Sequence, residues 1–282
     1  MPKTIKTAPA TRKTKDAVDT EKEIAAEQRS ANLHLPRSMS HTSFAPTHHH
    51  WLGKIAADMY KLFYPTACAG CGKVLVKGED VICLHCRQRL PLTNYHLQPG
   101  NRMEKHFWGK VDFERAAAFV HFHKNSGVQR MLHMLKYKGR RDVGYYLGRL
   151  YGVELKSTNP FSEADLVIPV PLHPSKQRRR GFNQAETIAR GLADELDIPC
   201  RTDLLLRTAF TETQTKKNRL QRWVNVGKVF VCTDSEVLTG KRIILVDDVI
   251  TTGATLEACA NALQKQSNGV KIDFVTAAFA SS

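Results

Sequence analysis

The chain has 282 residues, 24% of them charged and 42% hydrophobic, enough for one sizeable α/β core with an appended module. No apolar run approaches the roughly 20 residues a membrane span needs. The first 46 residues lack the apolar centre of a secretory signal, so the cytoplasm is the expected compartment. The formal net charge is +15, and twelve Lys/Arg face six Asp/Glu across residues 171–230, which points to anionic partners, either phosphate metabolites or nucleic acid.

Residues 1–50 read as a disordered extension with few large apolar side chains, ending at His48-His49-His50. A short amphipathic helix is expected over 51–64, where Ile55, Met59, Leu62 and Phe63 form one stripe and Pro65 stops it. A cysteine module follows over 65–95. Cys68-x-x-Cys71 and Cys83-x-x-Cys86 are spaced as two knuckles that deliver four thiolates to one tetrahedral zinc. Four protein ligands leave no open position, so such a zinc is structural. A redox dithiol or two buried cysteine pairs are the alternatives, and His85 reads as a bystander.

The remainder, 110–282, alternates strands and helices. Strands are expected at Ala116–His123, Asp165–Val170, Arg242–Val246 and Lys271–Phe279. Helices are expected at Gly127–Tyr137, Val143–Leu155, Asn183–Leu196 and Leu256–Leu263. The strands are apolar throughout, which indicates a mostly parallel sheet covered on both faces by helices. In the Gly127–Tyr137 helix, Arg130, His133 and Lys136 fall on the face opposite the apolar stripe. Lys136, Lys138, Arg140 and Arg141 read as an extension of the basic surface.

The most informative segment is Arg242–Thr255. A buried strand is expected to end in Asp247 and Asp248, pass through Thr251, Thr252 and Gly253, and open a helix at Ala254 and Thr255. Ligands of open α/β sheets sit at the C-terminal ends of strands. Helix-start amides with threonine hydroxyls suit a phosphate, and carboxylates suit the vicinal hydroxyls of a ribose. Together they describe a ribose 5-phosphate. A second loop, Pro169–Gln184, follows another buried strand and carries Lys176, Arg178, Arg179, Arg180 and Gly181, suited to a more highly charged phosphate group. The stretch 207–228 holds Arg207, Lys216, Lys217, Arg219, Arg222, Trp223 and Lys228. It reads either as a lid over the ligand or as a track for single-stranded nucleic acid.

All thirteen positions of Ile243–Thr255 resemble the phosphoribosyl pyrophosphate signature of type I phosphoribosyltransferases. By that likeness Asp247 and Asp248 contact the ribose hydroxyls, Thr251–Thr255 wraps the 5-phosphate, and Mg²⁺ rides on the pyrophosphate. Arg180-Gly-Phe-Asn-Gln184 and Thr213–Val226 resemble the ComF/GntX family of competence-related proteins, whose members carry a similar N-terminal zinc finger. The family likeness implies handling of single-stranded DNA with the competence machinery during uptake. A phosphoribosyltransferase acting on an unidentified acceptor is the alternative. No general base is evident, so whether catalysis occurs is left open. Hypoxanthine–guanine enzymes place an Asp where this chain has Thr251, and an amidotransferase needs an N-terminal nucleophilic Cys that this chain lacks; both classes are disfavoured.

Overall fold

The computed structural model describes residues 66–208 and 229–280, all within one compact unit, Ala57–Ser282. The 1–50 extension, the 51–64 helix and Lys216, Lys217, Arg219, Arg222 and Trp223 lie outside the described residues. No described helix is long and apolar enough to cross a membrane.

The cysteine segment folds as tight turns tied by an Ala67–Val74 bridge, then a short helix α1, Leu84–Gln88. Another short helix, α2 (Arg102–Lys105), is capped by Asn101, whose Oδ1 accepts from the amides of Met103 and Glu104. Strand β1 covers Ala116–Phe122. Helices α3 (Gly127–Tyr137) and α4 (Arg141–Lys156) follow. Strand β2 (Leu166–Pro169) leads through α5 (Pro174–Arg180) to α6 (Gln184–Leu196). A two-stranded antiparallel ribbon joins β3 (Leu205–Arg207) to β4 (Phe230–Cys232). The chain closes with β5 (Arg242–Ile250), α7 (Ala254–Gln266) and β6 (Lys271–Ala280).

The main sheet has the order β1-β6-β5-β2, with every pair parallel. Ile243, Ile244, Leu245 and Val246 of β5 are all fully buried. Successive strand residues point to opposite faces, so both faces of β5 are covered, as its unbroken apolar run requires. Helices α4 and α6 cross at backbone contact. A Cβ at Gly148 would stand 2.1 Å from the Ile188 carbonyl oxygen, and one at Gly191 would stand 2.1 Å from that of Tyr145.

Three expectations need correction. Strand β5 does not stop at Val246 but continues through Asp247 and Asp248 to Ile250, because β6 goes on pairing with it as far as Ile250–Phe279. The acidic pair therefore sits inside the strand. Neighbouring β2 stops opposite Val246, so beyond that point β5 has a strand partner on one side only, and a ledge opens at the C-terminal edge. The Pro169–Gln184 loop contains a helix of its own, α5, with Pro174 in its first turn and Gly181 at φ 77° ending it. Finally, Lys136 does not belong to the solvated face of α3 but turns into the sheet edge, as described below.

Candidate functional site

Asp247 lies on the β5 ledge, and its backbone neighbour locks it: the Asp248 amide donates to Asp247 Oδ1 at 2.8 Å. Strand alternation sends the two side chains to opposite faces. Asp247 lines a cavity of about 30 Å³ with Thr251, Thr252, Gly253 and Thr255. Asp248 is paired with Lys136 of α3, Nζ to Oδ2 at 2.8 Å, and the two side chains are only 15% and 23% exposed. Burial, and then the charge of Asp248, push the Asp247 carboxyl up to about 7, against the Asp248 amide, Lys136 and Arg207. The edge thus holds one carboxylate committed to a lysine and a second that titrates near neutrality.

Residues Thr251–Thr255 form a shallow cup. Thr251, Thr252, Ala254 and Thr255 are exposed, while Gly253 is buried. Gly253 has φ +80°, and a Cβ there would stand 2.9 Å from Phe107 Cε1, so both backbone conformation and packing demand glycine. As N-cap it offers α7 no side chain, though Thr252 Oγ1 accepts from the Ala254 amide at 3.4 Å; the start of a helix favours an anion.

Loops that follow β2 and β5 emerge side by side, since Pro169 pairs with Val246. Asn183 closes the β2 loop at both ends. Its Nδ2 donates to the Val170 carbonyl at 2.9 Å, and its Oδ1 accepts from the Ala185 amide at 3.2 Å, capping α6. Lys176, Arg178, Arg179 and Gly181 are exposed. Arg180 turns inward: its Nη1 donates to Gln184 Oε1 at 2.7 Å, and its guanidinium lies 5.6 Å from the Tyr137 ring centroid. The predicted basic loop is therefore split between three exposed cations and one arginine packed against α3.

Two features escaped the sequence reading. Lys136 binds Asp248, yet its place in α3 gives no signal beyond a position opposite the apolar stripe. Arg207 belongs to β3, and its charge acts on Asp247. Its Nε is buried without a hydrogen-bond partner, its guanidinium lies 5.2 Å from the Phe230 ring centroid, and it lines a second cavity of about 220 Å³ with Pro169, Leu172, Asn183 and Leu205.

In the cysteine module, Cys68, Cys71, Cys83 and Cys86 bring their sulfurs within 4.8 Å of one another, and His85 is not in the cluster. Cys71 and Cys83 Sγ are 3.8 Å apart, close to the edge of about 3.8 Å that a tetrahedron with Zn–S bonds of about 2.3 Å implies. Burial raises the Cys68 thiol, but the amides of Cys83, Cys71 and Gly70 outweigh it and lower it to about 6, whereas burial and the neighbouring sulfurs push the Cys86 thiol up. The donor set suits a structural zinc. Arg130 of α3 donates from Nε to the Gly70 carbonyl at 2.6 Å, so one helix touches a cysteine knuckle near its start and the acidic strand near its end.

A family model described as "Phosphoribosyl transferase domain" matches residues 180–280. The chain is 28% identical over 202 residues to Competence protein F of Haemophilus influenzae, covering 70% of this chain and 84% of that protein. It is 26% identical over 199 residues to DNA utilization protein YhgH of Escherichia coli, covering 70% and 83%. It is 25% identical over 214 residues to Competence protein ComFC of Bacillus subtilis, covering 72% and 85%. Among solved structures, a glutamine phosphoribosylpyrophosphate amidotransferase from B. subtilis overlaps 51% of this chain and 30% of its own, with a TM-score of 0.37 and 20% identity.

Proposed function

We propose, from the premise that this chain belongs to the ComF family of proteins with a phosphoribosyltransferase-like fold, that it binds phosphoribosyl pyrophosphate with Mg²⁺ on the Asp247–Thr255 loop and handles single-stranded DNA during DNA uptake. The observation that carries the ligand reading is the juxtaposition of Asp247 with the start of α7 around one cavity. An acceptor for sugar hydroxyls there adjoins donors for a terminal phosphate. Lys176, Arg178 and Arg179, on the loop from the adjacent strand, supply charge for the pyrophosphate. The cytoplasm is the compartment where such a ligand and an incoming strand would meet.

Magnesium fits as an ion that arrives with the ligand. Of the two carboxylates here, Asp248 is already held by Lys136, and Mg²⁺ prefers six oxygens in octahedral array. Phosphate oxygens and water must supply most of them. Zinc has the opposite character, with all four ligands provided by Cys68, Cys71, Cys83 and Cys86.

One observation favours the alternative, a phosphoribosyltransferase with an unidentified acceptor. Asp247, pushed up to about 7, has the proton affinity of a general base working at neutral pH. Titration calorimetry with Mg²⁺ and phosphoribosyl pyrophosphate tests the shared core of both readings. The Asp247→Asn, Asp248→Asn double variant should lose binding while retaining the fold, and undiminished affinity would remove the assignment. Release of pyrophosphate on adding an acceptor would decide for the enzyme.

A further inference from the structure

The corner between α3 and α4 presents an aromatic ring that ribose and phosphate recognition does not use. Tyr137 ends α3 and is 59% exposed. The Arg180 guanidinium lies 5.6 Å from its centroid and the His133 ring 5.0 Å away, tilted by 44°, while the 59% exposure leaves ring surface open to a ligand. Arg180 itself donates to Gln184 at 2.7 Å, so the ring rests against an arginine that already has a partner.

Around it the surface is cationic. Arg141 donates from Nη2 to the Gly181 carbonyl at 3.0 Å and lies 4.8 Å from the Phe182 centroid, which joins the α3–α4 corner to the β2 loop as one surface. Lys138, Arg141, Lys176, Arg178 and Arg179 are all exposed. Among the described residues, none of them makes an ion pair, whereas Arg140, Arg149, Arg190, Arg201 and Lys241 each have a carboxylate. The next residue inward, Lys136, pairs with Asp248, so this surface begins at the rim of the ribose phosphate site.

Unpaired cations beside an exposed ring are what unpaired nucleic acid needs. Cations track the phosphates, and a ring takes the face of any base. A duplex keeps its bases stacked on each other and would offer only phosphates. We propose that Tyr137 is a stacking platform for an unpaired base of single-stranded nucleic acid, with Lys138, Arg178 and Arg179 holding the flanking phosphates. This rests on the strand-handling half of the proposed function, and it puts the contact on α3 and α5 rather than on the 207–228 stretch.

Fluorescence anisotropy of a labelled oligothymidylate with the zinc-loaded full chain, over a range of salt, tests it. Tyr137→Ala should weaken binding about tenfold, about 1.4 kcal/mol, with an unchanged salt slope. Tyr137→Phe and Tyr137→Trp should keep the affinity, and Tyr137→Leu, which preserves apolar bulk, should lose it as alanine does. Arg178→Glu with Arg179→Glu should flatten the salt slope by about 0.7 for each phosphate no longer neutralised. Zinc content and unfolding midpoint identify folded variants. If both alanine and leucine variants bind like wild type while the charge reversals weaken binding, the platform falls and strand handling stands. Equal affinity for a duplex of the same length also overturns the platform. A wild-type chain that binds no single strand overturns both.

Discussion

Asp247 and Asp248 are adjacent in the chain yet unequal in environment. Asp248 has a lysine at 2.8 Å, and Asp247 has burial and a neighbouring negative charge. Because the folded protein holds the Asp247 proton more tightly than the unfolded chain does, this group's contribution to stability is complete below about pH 4. It is lost as pH rises through about 7. Urea midpoints measured from pH 4 to pH 8 should fall with rising pH in the wild type, and Asp247→Asn should flatten that slope. A parallel slope in the variant would assign the pH dependence to other groups. Lys136→Met should leave Asp248 half-buried without its cation and cost about 1–3 kcal/mol. A double-mutant cycle with Asp248→Asn should recover most of that loss, because the neutral amide no longer needs a counter-charge.

Helices α4 and α6 pack so closely that glycine is the only residue their crossing admits. Gly148→Ala would drive a methyl into the Ile188 carbonyl, a backbone atom with no rotamer to escape to. Overpacking of this kind costs about 3 kcal/mol. Chemical denaturation should read that cost. Helix α6 also carries Asn183 at its start, so a shifted α6 should loosen the loop that holds Lys176, Arg178 and Arg179. At the same scale, the extension of β5 past β2 creates the ledge on which Asp247 stands. The hydropathy pattern marks the strand as ending at Val246, since polarity begins there. Hydrogen bonding to β6 ignores side-chain polarity and carries the strand on. Helix α5 is unreadable for a related reason: it buries no residue, so it has no apolar stripe to reveal it. The β3–β4 ribbon pairs three residues with three across a long separation in sequence, too short for alternation to show.

Across the whole molecule, the cysteine module and the sheet edge share α3 as a common strut. Arg130 grips the Gly70 carbonyl between two cysteines, and Lys136 reaches Asp248 from the other end of the helix. One equivalent of zinc per chain is expected by elemental analysis. Chelation should unravel Cys68–Cys86, since metal binding supplies the folding energy of such modules, while the parallel sheet stays folded on its own core. Far-ultraviolet circular dichroism with limited proteolysis would check this. Collapse of the entire fold on chelation would contradict an independent core. With +15 of formal charge, binding of any polyanion to this surface should weaken steeply with salt.

Some properties of this protein are local in the chain and could be read directly. The spacing of Cys68, Cys71, Cys83 and Cys86 defines a metal-binding pattern because tetrahedral geometry constrains close neighbours. The apolar runs of β1, β2 and the first half of β5 determine a buried parallel sheet because both faces are covered, whereas β6 also buries Thr276 and Asp273, the latter paired with Arg242. The Thr-Thr-Gly turn marks the start of α7, because a glycine at positive φ can lead into a helix where other residues are strained. Only the folded chain decides which charges meet. Lys136 and Asp248, or Arg180 and Tyr137, come together through the crossing of elements distant in sequence. Charge pairing depends on distances of a few ångströms, which no periodicity along the chain encodes.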